Sequence, residues 1–215
     1  MSRVFLLSPA NCSGKRAKQV VSPKASFALA AELRSPAGAP IGEVFAFVSG
    51  LYFRGKLRYA TRFAAPPEAG NAIVDCGVQV ITPNAGLRSV HTRIDCNAIR
   101  KFAASDVSLD NPAYRRPLER SAKTLARELG PDCDVVLLGS IASPKYVDLL
   151  QDVFGSRLRF PIDFVGRGDM SRGGLLLRMA DAGTELEYAP VAGTVRHGVR
   201  PPKLAPLARQ HSQVT

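Results

Sequence analysis

Closely spaced cysteine pairs are missing from this chain. Its four cysteines, Cys12, Cys76, Cys96 and Cys133, stand apart, and no C-x-x-C occurs. The three histidines, His91, His197 and His211, add no spacing of the kind a tetrahedral zinc site usually shows. Neither a metal nor a cofactor is expected. Scattered thiols in a chain able to bury a core read as reduced cysteines of the cytosol. Long apolar runs are missing too. The first, residues 4–7, is shorter than the roughly 7–15 residues of a secretion-signal core, and Asn11 before Cys12 breaks a lipoprotein cleavage site. Nothing approaches the roughly 18 apolar residues of a membrane span. The expectation is a cytoplasmic protein with no membrane partner.

Acidic residues are scarce. Against 29 lysines and arginines stand 18 aspartates and glutamates, a net charge of +11 over 215 residues. Such an excess draws polyanions and makes nucleic acid, DNA first, the expected partner. The excess is blocked, not spread. No acid precedes Glu32, although Arg3, Lys15, Arg16, Lys18 and Lys24 lie there. None lies between Glu43 and Glu68, where Arg54, Lys56, Arg58 and Arg62 fall, and none follows Val195. The hydrophobic share of 46% and charged share of 22% are ordinary for a globular chain. One α/β domain over residues 1–194 and a basic, proline-rich tail over 195–215 are expected.

Apolar runs at 4–7, 77–82 and 134–138 read as strands buried on both faces. Residues 158–165 read as another strand, with Pro161 at an edge or bulge, and 44–48 and 185–191 as two more. Helical spacing covers 25–33, 51–63, 95–104 and 117–129, the last stopped by Gly130-Pro131. A helix over 145–154 has Ser143 as N-cap and Pro144 at its first position. Another begins at Leu175 and ends at Gly183. The order strand, loop, helix predicts a mainly parallel central sheet with helices on both faces.

Ligands of such sheets bind beyond the carboxyl ends of the strands. Four segments belong there: SPANCSGK (8–15), PNAGL (83–87), GSIASPK (139–145) and GRGDMSRGG (166–174). The first lacks the spacing of a nucleotide-triphosphate loop, and Arg16 stands where a magnesium-binding hydroxyl belongs. Its Ser8, Ser13 and Lys15 either cradle an anion or merely close a turn. In the third, Ser140 and Lys145 face the same crevice. The fourth places Arg167, Ser171 and Arg172 around a helix start suited to phosphate. Its Asp169 either caps that helix or faces the ligand. In YFRGKLRYATR (52–62), Arg54 and Lys56 suit phosphates and Tyr52 and Phe53 suit base stacking. The other reading is a solvated helix face over buried aromatics. Cys12 reads as a packing residue rather than a nucleophile.

Taken together, LLSPANCSGK, YFRGKLRYA, ITPNAGL and the late glycine-containing loop resemble the uracil-DNA glycosylase-like superfamily over about residues 4–177. The resemblance implies a three-layer sandwich and a flipped base held at the strand ends, with cations pinching the flanking phosphates. It gives Asn11 the water-positioning role and makes Ser171 the late-loop counterpart. The usual Gly-x-Asp-Pro order and the late histidine are absent, which favours a modified base over uracil. Asp169 would stabilise the positive charge that N-glycosidic cleavage builds on the sugar. The expected activity is an N-glycosylase-like hydrolase excising a modified or damaged base. The alternatives are a non-catalytic nucleic-acid-binding protein and an enzyme of small phosphorylated nucleosides or sugars.

Overall fold

In a computed structural model, residues 2–67, 71–142, 144–196, 198–202 and 204 are described. The chain begins with β1 (Arg3–Leu7), α1 (Lys15–Val20), α2 (Ala28–Arg34) and the short β2 (Ala39–Pro40). Then come α3 (Ile41–Ser49), α4 (Leu51–Phe63), β3 (Val78–Thr82), β4 (Gly86–Ser89) and β5 (Arg93–Ile94). The second half runs α5 (Cys96–Ala103), α6 (Pro112–Glu128), β6 (Asp134–Leu138), α7 (Val147–Phe154), β7 (Leu158–Pro161), α8 (Asp169–Ala182) and β8 (Tyr188–Pro190).

Six strands make one sheet in the order β4-β3-β1-β6-β7-β8. The inner four are parallel, and β4 and β8 pair antiparallel at the two edges. β2 and β5 form a separate two-stranded ribbon. Val4, Phe5, Leu6 and Leu7 are all fully buried. Because successive side chains point to opposite faces, both faces of β1 are covered. Each such side chain contributes about 1.5–3 kcal/mol of burial, so the sheet's centre is fixed firmly. The helices pack in two groups, α4 with α3 and α8, and α6 with α7. Tyr59 of α4 ties the first group to the far edge: its hydroxyl meets that of Tyr188 at 2.6 Å.

The sheet and most helices follow the sequence pattern, with several corrections. Residues 44–48 lie in α3, not in a strand. An apolar run this short is buried equally well by either conformation, and the flanking Ile41 and Gly50 set helix length here. The PNAGL segment is the turn of the β3–β4 hairpin, where Asn84 donates to Ser105 Oγ at 2.8 Å. α7 starts at Val147 with Tyr146 as N-cap; Ser143 lies outside the described residues. α8 starts at Asp169, so two thirds of GRGDMSRGG, residues 169–174, is helix. Pro161 ends β7 past its pairing with β6, where no ladder donor is needed. Over its described part the expected tail is laid against the domain: Arg196 pairs with Asp148 at 2.8 Å and Leu204 packs on the core. The rest of that segment lies outside the described residues. Among the described residues no helix is long and apolar enough to cross a membrane.

Candidate active site

The chain leaves β1 toward β3 and later returns on the other side of β1 as β6. That reversal puts the topological switch point beyond the carboxyl ends of β1 and β6, the place where open parallel sheets bind ligands. Residues 8–14, 139–142 and 144–146 follow these strands there. They converge because Gly139 has no side chain: a Cβ there would stand 2.8 Å from the Tyr146 hydroxyl and 2.9 Å from Ser8 Cβ.

Ser8 extends β1 by one residue, its N–H donating to the Leu138 carbonyl at 3.2 Å. Lys56 reaches it from α4. Its Nζ donates to the Ser8 carbonyl and to Ser8 Oγ, both at 2.8 Å. The lysine is 1% exposed, and its Nζ lies 4.6 Å from the ring centroids of both Tyr52 and Phe53. Burial pushes its pKa down to about 7, against the pull of the Asp169 carboxylate. Near neutral pH, therefore, Lys56 is divided between ammonium and amine. That condition suits proton transfer, and it is uncommon away from functional sites.

The Tyr146 hydroxyl accepts the Ser140 N–H at 3.0 Å, and the Ser8 side chain lies next to it beside Gly139. Burial raises the Tyr146 pKa, so the phenol keeps its proton. Lys56, Ser8 and Tyr146 are thus three proton-carrying groups gathered at the carboxyl ends of β1 and β6.

α8 supplies the opposite wall. Its N-cap is Gly168, so Asp169 is the first residue within the helix and not its cap. The carboxylate is 69% exposed, stands 3.5 Å from Arg172 Nη1, and acts electrostatically on Lys56, Tyr52 and Tyr146. It therefore stands within electrostatic reach of this cluster while lying largely in solvent. Arg172 is buried and held by two hydrogen bonds to the Phe164 carbonyl, at 3.2 and 2.9 Å. The Tyr52 hydroxyl is buried beside Arg172 without a well-formed hydrogen bond among the described residues, and burial raises its pKa. An unpaired buried hydroxyl costs about 1–3 kcal/mol, which a ligand atom would recover.

The structure divides the sequence-predicted residues into three sets. Ser8, Lys56, Tyr146-bonded Ser140, Asp169, Tyr52 and Arg172 meet at the crevice. Lys56 and Arg172 are interior groups, which corrects their assignment to a phosphate-contacting surface: each spends its charge on backbone carbonyls. Phe53 is fully buried edge-on against Phe45, and Tyr52 is buried against Phe164, so neither offers a face for stacking.

A second set lies on the rim. Asn11 is exposed, but its Oδ1 accepts the Ser13 N–H at 3.0 Å and the Ser13 hydroxyl at 2.7 Å. The oxygen that would orient water is already engaged, and both residues serve the turn. Lys15 opens α1 and is exposed, as is Lys145 ahead of α7.

The third set lies on flanking grooves. Arg54 is on the outer face of α4, sharing a groove of about 510 Å³ with Arg16, Glu43 and Phe47. Arg167 donates to Ser171 Oγ at 3.3 Å and borders a groove of about 330 Å³ with Arg178 and Arg200. Tyr146 is not among the expected residues; the sequence places it in the first turn of the helix over 145–154, where local spacing gives no sign of its inward side chain. No protein-family model, curated protein or solved structure matches this chain.

Proposed function

We propose that the protein is a nucleic-acid-binding enzyme that releases a modified base by cleaving its N-glycosidic bond in this crevice. The observation that carries the reading is the gathering of Lys56, Ser8 and Tyr146 at the carboxyl ends of β1 and β6, with the Asp169 carboxylate near enough to act on Lys56. In the reaction the bond between the sugar carbon and the base nitrogen breaks, and its electron pair stays on the base. Tyr146 gives its proton to that nitrogen, Ser8 reprotonates Tyr146, and the Lys56 ammonium reprotonates Ser8. The sugar is left positive, which the Asp169 carboxylate stabilises, and water then adds to it. The proton that water loses restores Lys56.

The net charge of +11 and the arginine-lined grooves on either side supply the backbone contacts. The strand reversal around β1 supports the three-layer arrangement of the uracil-DNA glycosylase-like superfamily, which the sequence resembles. Four free cysteines support a reducing, cytoplasmic setting.

The test is incubation with single- and double-stranded DNA carrying defined base modifications, followed by alkaline cleavage at abasic sites. Strand breaks are expected with the native protein and a loss of at least about 100-fold in Lys56→Gln and Tyr146→Phe. Tight binding with no abasic product across a broad panel would leave a non-catalytic binding protein instead.

A further inference from the structure

The amino end of β3 and the carboxyl end of β4 lie at the edge of the sheet opposite the crevice, since β3 runs parallel to β1. Three potential metal ligands meet there. Asp75 and Cys76 precede β3, and His91 follows β4. The hairpin register explains their meeting. Ser89 stands opposite Gln79, and the Val90 N–H donates to the Val78 carbonyl at 3.1 Å, so His91 comes level with the residues just before β3.

The backbone does the rest. Asp75 has φ +52°, the one left-handed residue besides glycine among the described residues. Extended backbone would send neighbouring side chains to opposite faces, whereas a left-handed residue here turns 75 and 76 toward one point. One ligand atom from each of Asp75, Cys76 and His91 lies within 4.8 Å of the others. Ser89 organises the group. Its hydroxyl donates to Asp75 Oδ2 and accepts the His91 N–H at 3.1 Å. The carboxylate is thereby held by one oxygen and leaves Oδ1 for a ligand, as outer partners of metal-binding carboxylates do.

A thiolate, an imidazole and a carboxylate are a donor set for zinc and its borderline-soft neighbours. Calcium and magnesium want oxygen alone. We propose that Asp75, Cys76 and His91 bind one zinc-class divalent ion, with water as fourth ligand, and so clamp the open end of the β3–β4 hairpin. Binding releases the Cys76 thiol proton to solvent and changes no oxidation state. Two anionic ligands and one neutral one balance the ion's charge. The proposal is independent of the activity assigned to the crevice.

Cobalt(II) tests it directly on the untagged full chain after chelator treatment. One equivalent is expected to produce a thiolate-to-cobalt charge-transfer band and the intense visible bands of a tetrahedral site, both abolished by added zinc. Cys76→Ser should remove the charge-transfer band while Cys12, Cys96 and Cys133 remain. His91→Ala, at an exposed position, should weaken binding at least about 10-fold, and Ser89→Ala by about 10–100-fold. A band that survives in Cys76→Ser would overturn the proposal, as would wild-type affinity in His91→Ala or no band at one equivalent. Should Cys76→Ser fail to fold, the His91→Ala titration decides alone.

Discussion

Gly55 of α4 and Gly173 of α8 touch backbone to backbone. A Cβ on Gly55 would stand 2.6 Å from the Gly173 carbonyl oxygen, and one on Gly173 would stand 2.7 Å from Tyr52 Cα. This contact sets how near α8 begins to Lys56, and therefore how strongly Asp169 acts on it. Gly173→Ala is expected to separate the helices and lower stability by about 1–3 kcal/mol. Urea unfolding should show a lower midpoint with an unchanged slope. Unaltered stability would mean that the helices slide apart without cost.

The buried lysine gives the protein a distinctive pH response. Folding lowers the Lys56 pKa from its ordinary 10.5 to about 7. Between those two values the unfolded chain binds more protons than the folded one, so this group makes stability rise with pH across the window. Below about pH 7 its cost is present in full. Lys56→Met abolishes the term, so the stability difference between variant and native protein should change by about 1.4 kcal/mol per pH unit between pH 7 and 10. A constant difference over that range would show Lys56 charged throughout.

Arg16 and Arg54 line one groove, and both are exposed. Replacing both with alanine should weaken nucleic-acid binding uniformly across sequences. It should also lower the slope of log affinity against log salt by about 2. An unchanged slope would place the strand elsewhere.

The cysteines differ in access. Burial pushes Cys12 up to about 12 and Cys133 up to about 11. Cys76 and Cys96 are only partly buried, although burial pushes the Cys76 thiol up as well. At pH 8 iodoacetamide should therefore modify Cys76 and Cys96 well before the other two, as followed by peptide mass spectrometry. Early modification of Cys12 would mean that the first loop opens readily.

The sequence makes the sheet's centre legible because β1 and β6 each carry four consecutive apolar residues at strand length, and β3, apolar but for Gln79 and Thr82, is close to the same pattern. The same cue fails for α3, whose Val44, Phe45 and Ala46 are also buried but in a helix. The site was legible in membership more than in role. Lys56 sits in a basic run, where it reads as a surface cation. Yet Tyr52, Phe53, Lys56, Tyr59 and Ala60 fall on one helical stripe, and all five are buried. A lysine inside an apolar stripe is the signal that distinguishes it from Arg54, Arg58 and Arg62. Its bond to Ser8, 48 residues away, has no counterpart in local spacing. Nor has the meeting of Asp75 and Cys76 with His91, which depends on hairpin register.

The position of β1 bears on how the molecule is made. The second strand to emerge in space beside β1 is β3, but its other neighbour, β6, begins at Asp134. During synthesis the most apolar strand therefore waits with one edge open while well over half of the chain is still being added. Ser8 gains its bond to Leu138 only after that pairing closes. A nascent chain halted before β6 would present an unpaired hydrophobic edge to its neighbours and would lack the strand that fixes Ser8.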